Sequence, residues 1–200
     1  MRRTTGISIV LASCLTALLW AGDAAASAGN AGAEDGAARK SRCNGDAESV
    51  FVFTNIGENR YLSYQAVVLD PPVSEIWPVL RDAERFVLAV LPDVAPTFLW
   101  VDGGGPEIIP SSFQFTSGGV TLHEEAVYRS DELHQVLYRL REPAFGMQEY
   151  YAFGEVTRVC GQKTLLEYTR VLDLAPGTDT EFFRTLFTQE FLDIQTYFNE

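Results

Sequence analysis

The chain has 200 residues and a formal net charge of -12, with 46% hydrophobic and 12% aromatic residues. An excess of acidic groups disfavours nucleic acid and anionic membrane surfaces as partners, so neither is expected, while a protein partner is left open. The length is enough to bury a sizeable core without help from metals or many disulfides.

Met1-Arg2-Arg3, the apolar run from Gly6 to Gly22 and the small-residue string Ala24-Ala25-Ala26-Ser27-Ala28 form the three parts of a secretory signal peptide, so cleavage is expected after Ala26 or Ala28. The run is interrupted by Ser8, Ser13, Cys14 and Thr16 and falls short of the ~20 apolar residues of a permanent span, so the mature chain is expected to carry none. Leu11-Ala12-Ser13-Cys14 fits a lipobox, which makes lipid anchoring at Cys14 a minor alternative, because the apolar run continues past it to Trp20. The expected organisation is a signal peptide over 1–26, a flexible Ala/Gly/Ser-rich leader over 27–47 and one domain over 48–200. The mature chain keeps Cys43 and Cys160. An even pair in an exported, hence oxidising, setting predicts a disulfide between them.

Within the domain, residues 49–56 and 61–70 are rich in strand formers and flank the turn signal Gly57-Glu58-Asn59-Arg60, which predicts a hairpin. Pro71-Pro72 ends it. Val73, Ile76, Trp77 and Leu80 have helical spacing, and Asp82 to Leu91 continues with a second short helical pattern before Pro92. Six strands are then predicted over 97–101, 108–116, 120–129, 133–141, 147–159 and 163–174, joined by short turns and therefore antiparallel.

The last element is predicted as a long amphipathic helix from Thr178 to Asn199, with Thr178 and Glu181 as a capping box. Its apolar stripe holds Phe183, Leu186, Phe187, Phe191, Ile194, Tyr197 and Phe198, and Glu190 lies at the angular centre of that stripe. A carboxylate there requires a partner or water. A sheet of this length must curl, and curling around the aromatic helix would bury the stripe.

This order of elements, with Leu69 to Leu80 as the first strand-to-helix joint, resembles the START-like superfamily, also called the polyketide cyclase/dehydrase and lipid-transport (SRPBCC) family. Glu125, Asp131, Val136, Tyr138, Pro143, Gly161 and Leu165-Leu166-Glu167-Tyr168 are similar to that family's loose pattern in its middle and last strands. The resemblance covers about residues 60–199 and its motifs mark a fold rather than a reaction. It implies an α+β helix-grip fold, with a hydrophobic cavity between the last helix and a curved antiparallel sheet. Members bind lipids, sterols or polyketides, some catalyse cyclisation or dehydration, and others are periplasmic accessories. No residue set matches the enzymatic subgroups, so no catalytic residue is assigned.

The remaining motifs carry little chemistry. Gly103-Gly104-Gly105 lacks the Lys-Ser/Thr of a phosphate loop, and of His123-Glu124-Glu125 only His123 and Glu125 share a strand face, with His134 the nearest third ligand. No cofactor or metal is called for. The binding candidates are the polar groups that the fold turns inward, Glu190, Tyr138, Tyr168 and Arg170. Arg170 is placed to meet Glu190 in a charge-assisted hydrogen bond. Trp100, Phe113 and Phe115 are expected as walls on the sheet, and Phe183, Phe187, Phe191 and Ile194 on the helix. The plainer reading has Glu190 reaching the rim, Arg170 solvated and both tyrosines in the core with bonded hydroxyls. For the strand over 147–159 the pattern does not decide whether Tyr150 or Tyr151 faces inward.

Overall fold

A computed structural model of the chain describes residues 49–199. The expected signal peptide, the leader and Cys43 lie outside the described residues, as therefore does one partner of the expected disulfide. The elements run β1 (Val50–Gly57), β2 (Arg60–Leu69), α1 (Val73–Leu80), α2 (Ala83–Val90), a 3-10 turn (Pro92–Thr97), β3 (Leu99–Val101), β4 (Ser111–Ser117), β5 (Val120–Ser130), β6 (Gln135–Leu140), β7 (Met147–Arg158), β8 (Thr164–Leu174) and α3 (Thr180–Asn199). Every strand and helix expected from the sequence is present. No helix among the described residues is long and apolar enough to cross a membrane.

The eight strands form one curved antiparallel sheet in the order β1-β2-β8-β7-β6-β5-β4-β3. The β1–β2 hairpin joins the meander β3 to β8 through the β2–β8 pairing, so chain-distant strands lie side by side. Burial alternates from Ser63 to the end of β2, from Leu166 to the end of β8 and over Gln135 to Arg139 of β6. Ser63, Gln65, Val67 and Leu69 face inward on β2, and Leu166, Tyr168, Arg170, Leu172 and Leu174 on β8. A register shift between Met147 and Glu149 resets the alternation of β7, so that Tyr150 is buried and Tyr151 faces solvent.

Local chemistry sets the helix starts. Asp82 caps α2 by accepting from the Glu84 and Arg85 amides at 3.0 and 3.3 Å. α3 does not start on the expected capping box. Asp179 accepts from the Glu181 amide at 3.0 Å, whereas the Thr178 hydroxyl donates to the Ala175 carbonyl. The reason is steric: Gly177 takes φ 82°, and the Thr178 side chain fills the space over Gly146, where an added Cβ would come within 2.5 Å of its oxygen. Phe183, Phe187, Glu190, Phe191 and Ile194 of α3 are buried, Leu186 and Phe198 are half-buried, and Tyr197, expected in the stripe, is exposed.

Candidate functional site

The concave face of the sheet is built from rows of residues in register across neighbouring strands, with large polar side chains separated by small ones. One row runs Ala126, Tyr138, Ala152, Arg170, Ser63 across β5, β6, β7, β8 and β2. The next carries Gly154, Tyr168 and Gln65. An added Cβ at Gly154 would meet the Tyr168 ring at 3.0 Å, so the glycine is what lets that ring lie flat on the sheet. The small residues make room for Tyr138, Tyr168 and Arg170 on a face that is otherwise apolar core.

Arg170 is the centre of this cluster. It is 2% exposed, and its guanidinium lies between the rings of Tyr168 and Phe187, 4.4 and 4.3 Å from their centroids. Its Nη1 donates to Gln65 Oε1 at 2.6 Å, its Nε to the Tyr150 hydroxyl at 3.3 Å and its Nη2 to Glu190 Oε2. Gln65 is fixed in turn by donating from Nε2 to the Phe187 carbonyl at 2.6 Å. Glu190 therefore does not reach the rim and Arg170 is not solvated. The two charges meet inside the protein, where they can persist only as a pair with the remaining polar positions bonded. Burial raises the Glu190 carboxyl and Arg170 pulls it back. For Arg170, burial works against the charge, but Glu190 and the two tyrosines outweigh it and its pKa rises.

A pocket of about 40 Å³ opens beside the pair. That is room for roughly three waters at ~10–15 Å³ each. The cavity expected from the sequence is thus largely filled by the protein's own side chains. Phe86, Val87 and Val90 of α2 and the Leu91 that follows it form one wall, and Phe113 and Phe115 of β4 another. Glu124, Tyr138, Tyr150, Tyr168, Arg170 and Glu190 supply the polar lining. Of the expected wall residues, Trp100 lies outside the pocket, edge-on to Phe98 and Phe113, with its Nε1 donating to Glu84 Oε2 at 3.0 Å. Phe183, Phe191 and Ile194 pack in the core instead of facing the space, and Phe187 acts by covering Arg170.

Glu124 is the group that sequence reasoning missed. Leu122 and Ala126 on either side are buried, and Glu124 stands opposite Phe113 on the inward face of β5, while His123 and Glu125 point outward. His123 comes within 3.8 Å of Glu142, Glu125 pairs with Arg139, and His134 packs on Trp77. Among the described residues no group of three His, Cys, Asp or Glu is placed to hold a metal ion. The alternation Leu122-Glu124-Ala126 is the signal in the sequence that places Glu124 inward.

Among the described residues, Glu124 and the Tyr168 hydroxyl have no side-chain hydrogen bond, and the Tyr150 hydroxyl accepts from Arg170 but has no acceptor for its own proton. The Tyr138 hydroxyl donates to the Leu80 carbonyl at 3.0 Å. Burial and then the nearby Glu190 charge push the Glu124 carboxyl up to about 8, with Arg170 opposing. That shift favours the neutral carboxylic acid at neutral pH on a side chain that is half-buried at the pocket wall. Burial also pushes all three tyrosines above their ordinary value, so they stay protonated. The pocket is therefore electrically neutral, apolar on two sides and rich in O–H donors on the others.

No protein-family profile matches the chain, and no curated protein matches it. Solved structures do. A protein of Nitrosospira multiformis superposes with a TM-score of 0.57 at 18% identity, over 70% of this chain and 97% of its own. Ginseng major latex-like protein 151 from Panax ginseng gives 0.54 at 12%, over 70% of this chain and 99% of its own. A truncated norcoclaurine synthase from Thalictrum flavum gives 0.57 at 10%, over 72% of this chain and 94% of its own. The fold is a helix-grip fold. At these identities the likeness establishes the architecture alone. The helix-grip arrangement sets the concave sheet face against the inward side of α3, where Arg170 meets Glu190 and Gln65 meets the Phe187 carbonyl.

Proposed function

We propose that the mature chain is an exported binding protein for a small apolar or amphipathic molecule, held between α2, α3 and the concave face of the sheet. One observation carries this reading: Glu124, Tyr150 and Tyr168 line a single pocket beside the Arg170–Glu190 pair and apolar walls, with hydrogen-bonding capacity that no group among the described residues meets. A few polar groups converging beside apolar walls are what a ligand site presents. The fold is one on which ligand binding recurs. Export, the Cys43–Cys160 disulfide and the boundaries at residues 26 and 47 rest on the leader sequence, and amino-terminal sequencing with non-reducing peptide mapping of the secreted protein tests them.

Native mass spectrometry of the secreted protein, purified without detergent, tests the binding reading. We expect a ligand-bearing species that disappears in Val87→Phe, whose larger ring fills a space of about 40 Å³. A single unliganded mass for the wild type from its native host, or an adduct unaffected by Val87→Phe, contradicts it. A second reading, an acid-base enzyme of the cyclase or dehydratase kind on the same scaffold, is favoured by the Glu124 carboxyl, whose pKa of about 8 suits proton transfer near neutrality. Release of a chemically altered ligand would favour that reading over simple carriage.

A further inference from the structure

The pocket's hydrogen-bonding groups are unequal in a way that selects a ligand. The Arg170 charge is already balanced by Glu190 and enclosed by Gln65, Tyr150 and two rings. It is not available to compensate an incoming anion, which would sit close to the Glu190 carboxylate in a site with little water. A cation would find Glu190 committed to Arg170 and Glu124 shifted towards its protonated form. What remains uncommitted is a set of donors: the Glu124 carboxylic O–H, the Tyr150 O–H and the Tyr168 O–H. A protonated carboxyl beside a tyrosine, both aimed into an apolar site, is a known way to hold a carbonyl oxygen.

Resting on the binding reading above, we propose that this pocket takes a small neutral carbonyl compound, whose oxygen accepts hydrogen bonds from Glu124 and a tyrosine hydroxyl, and that ionisation of Glu124 releases it. The groups facing Glu124 are Glu190 from α3, Arg170 and Tyr168 from β8, Tyr150 from β7 and Tyr138 from β6; α2 and β4 present only apolar side chains to the pocket. Arg170 and Glu190 cancel and the tyrosines do not ionise near neutrality, so Glu124 is the one lining group that changes charge as pH rises through about 8. The sign follows. The ligand requires the protonated acid, so affinity is level at lower pH and falls by about tenfold for each pH unit above about 8.

The test is a set of three probes matched in size, 2-butanone, propanoate and propylamine, titrated into the wild-type protein while amide chemical shifts are followed from about pH 6 to about pH 9. The expected result is that 2-butanone binds at least about tenfold tighter than the other two at neutral pH, with shifts at Glu124 and Tyr150, and weakens at alkaline pH. Glu124→Gln, which keeps a donor but cannot ionise, should retain 2-butanone binding with a level pH profile. Preference for propanoate or propylamine would overturn the carbonyl assignment while leaving a ligand site intact. An alkaline loss that persists in Glu124→Gln would overturn the role of Glu124, and absence of binding by all three would overturn the pocket as a site for small ligands.

Discussion

Replacing Glu190 with glutamine would leave the Arg170 charge buried without its counter-charge. Arg170 and Glu190 have side chains 2% and 9% exposed, so neither can relax into water, and removing one member of such a pair costs ~3–5 kcal/mol. The retained bonds to Gln65 and Tyr150 and the two flanking rings place the expected loss at the lower end, about 3 kcal/mol. For a domain of this size each kcal/mol lowers Tm by ~2–4 °C, giving a fall of roughly 6–12 °C. Urea denaturation should show a lower midpoint with an unchanged slope. The substitution also removes a charge that raises the Glu124 carboxyl, so Glu124 should ionise at lower pH and become the new partner of Arg170. Glu190→Gln/Glu124→Gln should then be less stable than the sum of the single effects. A Glu190→Gln midpoint within error of the wild type would refute the claim that this pair is dry and mutually dependent.

Converting the pair to apolar residues in Arg170→Met/Glu190→Leu should, by contrast, be close to neutral or stabilising, because both desolvation costs vanish together; thermal melts check it. Gln65→Leu removes an acceptor for Arg170 and a donor to the Phe187 carbonyl, and an expected cost of ~1–3 kcal/mol is read in urea. Gly154→Ala forces the Tyr168 ring off the sheet and should cost ~1–3 kcal/mol, with the ring resonances of Tyr168 moving in NMR spectra. Because the Glu124 carboxyl rises from 4.5 to about 8 on folding, the folded state holds its proton more tightly and stability should fall as pH climbs between those values. Glu124→Gln should remove that slope in melts taken across the same range.

The fold was legible because each element announces itself locally. Asp82 caps α2, Pro71-Pro72 ends β2, and the apolar spacing of Phe183, Phe187, Phe191 and Ile194 points one side of α3 at the core. The Arg170–Glu190 pair was legible as one of two readings, because a carboxylate in an apolar stripe needs a partner or water and local sequence does not say which it finds. What the sequence did not convey depended on register. A shift at Met147/Glu149 decides between Tyr150 and Tyr151, and the turn over Gly146 moves the α3 cap from Thr178 to Asp179. Side-chain volume was equally hidden. Nothing local in Phe183 or Phe191 says whether an aromatic ring borders an empty chamber or fills it, and here the rings fill it, leaving a pocket of about 40 Å³.

Binding of a carbonyl oxygen requires Glu124 to be an uncharged acid at neutral pH inside the tyrosine-lined pocket. Following the carboxyl carbon resonance of Glu124 with pH in the wild-type protein measures this directly. A midpoint near 8 that moves higher on adding 2-butanone is the expected result. A midpoint near 4.5, unmoved by the ketone, would mean that Glu124 is an ordinary solvated carboxylate and that the pocket does not read a carbonyl oxygen.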